Sequence, residues 1–190
     1  MKIELLLCRE LKKIKENLYI DRYISGLENQ DATTDAFSDK WKQLDKSDDL
    51  QKLNDFQQNW FFKLYGFDSE DKLSKFLSDK SVILDAGCGL GYKSAWFADL
   101  NPDALVIGID FSESVYQAAE LYKDRKNLIF IRGDIANTCF KQETIDFINC
   151  DQVIHHTEDP QKTLIHFNEI LSQKGIITLY VYAKKAVPRE

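Results

Sequence analysis

Three glycines at alternate positions, Gly87, Gly89 and Gly91, lie between an acidic residue, Asp85, and a segment that opens at Tyr92. Glycine has no Cβ, so a loop of this kind turns tightly and lets a ligand approach its backbone amides. A second carboxylate, Asp110, follows 19 residues beyond Gly91, and a third, Asp134, closes the next apolar run. A carboxylate at Asp110 can accept both hydroxyl hydrogens of a ribose. Asp134 can accept from the exocyclic amino group of an adenine, and Phe111 and Ile135 stand beside these acids to flank a flat ring. Singly, each acid reads equally well as a helix cap or a solvated turn. Three of them at consecutive strand ends point to an adenosine-type ligand.

The spacing separates two such ligands. Dinucleotide sites read G-x-G-x-x-G and set a helix N-terminus against a pyrophosphate. Here the glycines read G-x-G-x-G, and Asp85 stands two positions ahead of the first of them. A fixed carboxylate repels a pyrophosphate but favours an ammonium or a sulfonium, directly or through water. That argues for S-adenosylmethionine as cofactor. Methyl transfer from a sulfonium needs alignment above all, and a base only where the acceptor must lose a proton. His155 and His156 are the base candidates, because imidazole titrates near neutrality; packing of the loop that leads to Pro160 accounts for the pair as well.

The elements that must hold these residues follow from the apolar pattern. Short apolar runs, Val82–Leu84, Leu105–Ile109, Leu128–Ile131, Ile145–Cys150 and Ile176–Tyr182, alternate with amphipathic segments. Strands alternating with helices imply right-handed crossovers and a mostly parallel sheet covered on both faces. The expected fold is α/β, a Rossmann-like three-layer sandwich with strand order 3-2-1-4-5, and ligands gather beyond the carboxyl ends of such strands. Ser112 can cap the helix after Asp110, Asp159-Pro160 supplies an N-cap and an N1 proline for a helix to Leu171, and Gly175 is placed as its C′ residue.

Residues 1–80 read as a helical N-terminal segment, with the S-adenosylmethionine-binding unit over 81–190. Ile3, Leu7, Leu11, Ile14 and Leu18 recur at steps of three and four, a helical stripe on which Lys12, Lys13 and Lys15 form a solvated face. Leu18–Ile24 alternates well enough for a strand. Residues 26–40 are polar and read as a loop. Leu53, Phe56, Trp60, Phe61 and Leu64 define a helical face closed by Gly66, either docked on the sheet or walling the substrate, and Ser69 caps a further short helix through Leu77.

The chain of 190 residues has 25 basic and 31 acidic side chains, a net charge of −6, and is 44% apolar. This excludes wholesale disorder and gives no support to a nucleic-acid partner. No uncharged apolar run of ~18 residues is present, so no membrane span is expected, and a cytoplasmic setting is. Cys8, Cys88, Cys139 and Cys150 are scattered without a C-x-x-C pair, which fits reduced thiols and no metal site.

The segments ValIleLeuAspAlaGlyCysGlyLeuGly, ValIleGlyIleAspPheSer, ArgGlyAspIle and ValIleHisHisThrGluAspPro together resemble the class I S-adenosylmethionine-dependent methyltransferases, more narrowly a small-molecule branch with a V-L-H-H-T-x-D-P stretch after strand four. The resemblance runs from about Asp35 to Glu190. It implies that Asp85, Gly87, Cys88, Gly89 and Gly91 surround the methionine part and that Asp110 holds the ribose. Phe111 flanks the adenine, Asp134 with Ile135 meets its amino edge, and Cys150 and Asp151 line the methionine end. The implied activity is methyl transfer to a small-molecule acceptor at O, N or C. The alternatives are a protein or truncated fragment that binds S-adenosylmethionine without catalysis and, ranked below it, a dinucleotide-binding oxidoreductase. Some members of the branch begin with a cysteine-paired zinc ribbon, of which only Cys8 has a counterpart here. Members also continue past strand five, whereas this chain stops eight residues after Tyr182, leaving an apolar strand edge through which self-association is expected.

Overall fold

The computed structural model describes residues 2–23 and 47–182; the loop read over 26–40 lies outside them. Among the described residues the strands are β1 (Lys12–Lys15), β2 (Leu18–Ile20), β3 (Val82–Ala86), β4 (Leu105–Asp110), β5 (Leu128–Arg132), β6 (Ile145–Asp151) and β7 (Leu171–Tyr180). The helices are α1 (Ser47–Tyr65), α2 (Glu70–Leu77), α3 (Tyr92–Leu100), α4 (Ser114–Leu121) and α5 (Pro160–Ile170), with 3-10 turns at Ile3–Leu5, Ile135–Asn137 and Ile154–His156.

All seven strands form one sheet in the order β1-β2-β5-β4-β3-β6-β7, parallel except for the β1–β2 pair. Its β5-β4-β3-β6-β7 portion is the expected 3-2-1-4-5 winding. Successive β3 side chains point to opposite faces. Val82, Leu84 and Ala86 join a core with Ile3, Leu6, Phe167 and Ile170. Ile83 faces the other core, built with Phe61, Leu73, Phe97 and Val115 from α1 to α4. Helices therefore cover both faces, and the carboxyl ends of β3, β4 and β6 share one rim.

The local signals hold at several ends. The Ser69 side chain accepts from Lys72 N at the start of α2, Asp159 caps α5 through the amides of Gln161 and Lys162 with Pro160 next in line, and Gly66 takes a left-handed φ of 72° after α1. Ser112 lies just ahead of the α4 cap, which falls on Glu113.

Two expectations are corrected. The stripe from Ile3 to Leu18 is not a helix: after the first 3-10 turn the chain forms the β1–β2 hairpin, and β2 adds itself in parallel to β5, the outer strand of the winding. All four β1 residues are exposed, so the lysine run is solvated, but on a strand. Packing on the sheet overrides helical periodicity here: Ile3, Leu6 and Tyr19 enter the core. Gly175 is not a helix C′ residue. The chain leaves α5 at Leu171 with extended angles (φ −72°, ψ 132°), and the β6–β7 register jumps from Ile145↔Leu171 to Phe147↔Ile176. The residues in between bulge out of the ladder, and a Cβ on Gly175 would sit 2.6 Å from Leu171 Cγ.

The N-terminal segment is tied down by polar contacts as well. Arg9 donates from Nε to both oxygens of the buried Asp21 (3.2 and 3.1 Å) and from Nη1 to Asn137 Oδ1 at 3.1 Å, next to the turn after Asp134. That turn is also held from α5, where His166 Nε2 accepts from Thr138 N at 3.0 Å. Burial holds the His166 imidazole below its ordinary 6.5, so on acidification the unfolded chain takes up this proton first. The stability due to the neutral ring is complete above about pH 6.5 and drains away as pH falls below that value. Urea unfolding of the wild type and His166→Gln at about pH 7.5 and about pH 5 is expected to show a steeper loss in the wild type; parallel losses contradict this.

Candidate functional site

The rim at the carboxyl ends of β3, β4 and β6 is built on the glycine loop. Gly87 and Gly91 have φ values of 81° and 77°, where side-chain-bearing residues are strained. A Cβ on Gly87 would lie 2.3 Å from Val153 Cγ2, and one on Gly91 2.6 Å from Phe130 Cε1. Both the backbone path and the close packing thus demand glycine. The amides of Gly87 and Cys88 donate to Ile109 O (2.8 and 3.0 Å), which ties the loop to β4.

Asp110 lies beside this loop. Its Oδ2 accepts from Gly89 N at 2.8 Å, and its Oδ1 accepts from Ser112 N at 2.9 Å and Ser112 Oγ at 2.7 Å. Each oxygen has two lone pairs, so Oδ2 keeps capacity for a hydroxyl hydrogen. Asp134 accepts from Ala136 N at 2.8 Å through Oδ1 and caps the short turn that follows. Phe111 is half-buried beside Asp110, and its carbonyl accepts from Arg132 Nε at 3.3 Å.

Asp85 lies near the end of β3 with its side chain turned inward. It is 3% exposed, Oδ2 accepts from Ser94 Oγ at 2.6 Å, and Oδ1 accepts from Asn149 Nδ2 at 2.7 Å. Burial raises its pKa, while Lys93 and the two hydrogen bonds pull it down. Asp85 therefore acts through its field and by fixing α3 and β6. The side chains of Cys150 and Ile135 are buried in the core on the α5 side, with the Cys150 thiol pushed up to about 12 by burial, and both residues lie at the rim through their backbone positions, near the carboxyl end of β6 and after β5. Cys88 sits in the loop, and burial, with Asp110 and Asp85 nearby, raises its thiol so that it stays protonated.

Lys93 and Asp151 form the part of the site that the spacing of acids did not reveal. Lys93, in the first turn of α3, has its Nζ 2.5 Å from Asp151 Oδ2, with the Asp151 side chain 1% exposed. A cation at a helix N-terminus works against the helix dipole, so its place there depends on these carboxylates. The other oxygen, Asp151 Oδ1, is buried without a hydrogen-bond partner. The next residue, Gln152, is left-handed (φ 66°) and donates its N–H to Tyr180 O at 3.0 Å, turning the chain back so that Val153 covers Gly87.

The histidines differ. His156 is exposed, and burial of its ring, then His155, lowers its pKa from 6.5. His155 is half-buried against Tyr182, at 5.1 Å between ring centroids, and both of its ring nitrogens are buried without a partner. The aromatic face of α1 divides between the two readings. Phe61 is fully buried against Trp96 and Phe97, whereas Phe56 is exposed and Trp60 meets Tyr180 edge-on at 5.7 Å. A cleft of about 780 Å³ lies at the opposite rim, by Leu105 and Leu128 at the amino ends of β4 and β5, away from these groups. Among the described residues no helix is long and apolar enough to cross a membrane, and no cluster of side chains suits a metal ion.

This geometry is that of a class I methyltransferase, with an unpartnered carboxylate oxygen and a glycine cradle at the rim where that class binds S-adenosylmethionine. Residues 77–190 match the family described as "Methyltransferase domain", and the chain belongs to it. An uncharacterized methyltransferase of Schizosaccharomyces pombe is 31% identical over 121 residues, 59% of this chain and 42% of its own length. A Saccharomyces cerevisiae protein named tRNA (carboxymethyluridine(34)-5-O)-methyltransferase is 30% identical over 106 residues, 54% of this chain and 36% of its own. A solved structure from Methanococcus maripaludis, provisionally assigned as an S-adenosyl-L-methionine-dependent methyltransferase, has a TM-score of 0.54, 18% identity, and covers 69% of this chain and 60% of that one, a likeness of fold. The chain spans between a quarter and about half of the length of the curated relatives it matches.

Two outcomes test the site. Gly91→Ala combines left-handed strain with a contact on Phe130, and is expected to cost roughly 2–4 kcal/mol in urea unfolding; a change under about 0.5 kcal/mol contradicts the packing described. Asp85→Asn relieves a buried charge, so at about pH 7 the variant is expected to melt higher, by roughly 2–4 °C per kcal/mol relieved. The gain should vanish toward about pH 4, where the raised folded pKa lets the wild-type carboxyl protonate. A melting temperature that falls at neutral pH contradicts a net burial cost.

Proposed function

We propose that this chain transfers the methyl group of S-adenosylmethionine to a small-molecule acceptor. The observation that carries the reading is the buried Asp151 Oδ1, unpartnered beside a lysine ammonium at the rim of the glycine loop. An oxygen in that state is completed by a donor, and the amino-acid end of the cofactor offers an ammonium. When bound, the cofactor supplies an activated methyl on a positive sulfur. Asp110 Oδ2 accepts a ribose hydroxyl hydrogen, Asp134 meets the adenine amino edge, and Phe111 flanks the base. Lys93 holds the cationic place on Asp151 until the ligand ammonium shares it.

His155, rather than His156, takes the proton where the acceptor must lose one: its unpartnered nitrogens lie in the aromatic cluster, whereas His156 is exposed. The net charge of −6 supports a small acceptor over a polynucleotide, although the yeast relative is named for a tRNA substrate. Among the described residues β7 is the outer strand on its side of the sheet, and its exposed Ile176 and Leu179 support self-association by strand pairing.

Calorimetry with S-adenosylhomocysteine and with NAD tests the reading. The nucleoside is expected to bind and NAD not, and Asp151→Asn is expected to weaken nucleoside binding by about 1.5–3 kcal/mol, as for a lost charged hydrogen bond. Binding of NAD alone, or unchanged affinity in the variant, overturns it. For β7, light scattering of the wild type and Ile176→Lys is expected to show association that the added charge reduces; a wild-type monomer at high concentration contradicts it.

A further inference from the structure

Among the described residues, five buried side-chain polar atoms have no hydrogen-bond partner: Trp60 Nε1, Tyr65 Oη, Asp151 Oδ1, and Nδ1 and Nε2 of His155. Native proteins leave few such atoms, and each calls for a partner. These five converge. Trp60 meets Tyr180 edge-on at 5.7 Å, Tyr180 meets Tyr182 at 5.7 Å, and Tyr182 meets His155 at 5.1 Å. Tyr180 is the register partner of Asp151. Tyr65 completes the group from α1, and burial together with Asp151 and Asp85 raises its phenol pKa, so the hydroxyl keeps its proton.

The donors outnumber the acceptors. An indole N–H only donates, the Tyr65 hydroxyl is protonated, and a neutral imidazole offers one donor and one acceptor nitrogen. Asp151 Oδ1 is the sole obligate acceptor, and the proposed function already assigns it to the cofactor ammonium. What remains suits oxygen atoms on the acceptor rather than an amine. The successive edge-to-face rings offer flat apolar faces to a planar ring.

Resting on that assignment of the cofactor, we propose that the acceptor is a planar aromatic compound bearing a hydroxyl group, bound between Trp60, Tyr65 and the Tyr180–Tyr182 wall with its hydroxyl at His155. In the reaction the hydroxyl oxygen forms a bond to the methyl carbon. The carbon–sulfur bond breaks with its electron pair staying on sulfur, and the hydroxyl proton passes to a ring nitrogen of His155 and then to water. The products are a methyl ether and a neutral thioether.

The test uses the chain saturated with S-adenosylhomocysteine and the probe 4-nitrocatechol, followed by calorimetry and by absorbance, which reports ionisation of the bound phenol. The probe is expected to bind at least about tenfold more tightly than cyclohexane-1,2-diol or uridine. Trp60→Phe and Tyr65→Phe are each expected to weaken it about five- to tenfold while leaving S-adenosylhomocysteine affinity unchanged. At a pH where the free probe is protonated, the bound probe is expected to show the phenolate band in the wild type and to lose it in His155→Gln. Equal binding of the diol, tighter binding of uridine, or full affinity in both ring variants overturns the proposal while the cofactor reading stands. Failure of S-adenosylhomocysteine itself to bind overturns the cofactor reading, and this inference with it.

Discussion

A carboxylate taken out of water is costly unless hydrogen bonds or a counter-charge compensate it, and this protein gathers carboxylates at the carboxyl end of a parallel sheet. Asp85 and Asp151 lie at the ends of adjacent strands, both nearly inaccessible, with Lys93 paired to one of them and acting on the other. Ser94 and Asn149 hold Asp85, and Gly89 and Ser112 hold Asp110. A lysine in the first turn of a helix is itself unfavourable. The acids and the lysine therefore depend on each other, and the glycine loop, α3 and the turn after β6 are arranged to keep them together.

The N-terminal segment serves the same rim from the other side of the sheet. The β1–β2 hairpin widens the sheet beyond β5, Arg9 links Asp21 to Asn137, and the Cys8 amide donates to Cys139 O at 2.8 Å. These contacts, with His166 from α5, secure the turn that Asp134 caps.

The five strands of the winding were legible because each contains a short run of aliphatic, β-branched and aromatic residues, four of them with an Asp or Gly at or just after the carboxyl end, and the glycine spacing with Asp110 located the rim. The hairpin was not legible. β1 is Lys-Lys-Ile-Lys, exposed throughout and without alternation, and it exists by pairing with β2. Gly175 resembled a helix stop, but the register break that it occupies depends on β6. Within the site, the positions of the acids could be read and their exposure could not. Asp85 turned inward because Ser94, nine residues on, packs over it. Lys93 was missed although it directly precedes that serine; asking what the first turn of α3 sets against β3 and β6 would have found it.

The most direct measurement of the central claim is a crystal structure of the chain with S-adenosylhomocysteine. The account predicts the nucleoside lying along Gly87–Gly91, a ribose hydroxyl on Asp110 Oδ2, and the ligand ammonium on Asp151 Oδ1, sharing that carboxylate with Lys93. A ligand bound elsewhere, or bound here with Asp151 still engaged by Lys93 alone, would contradict it.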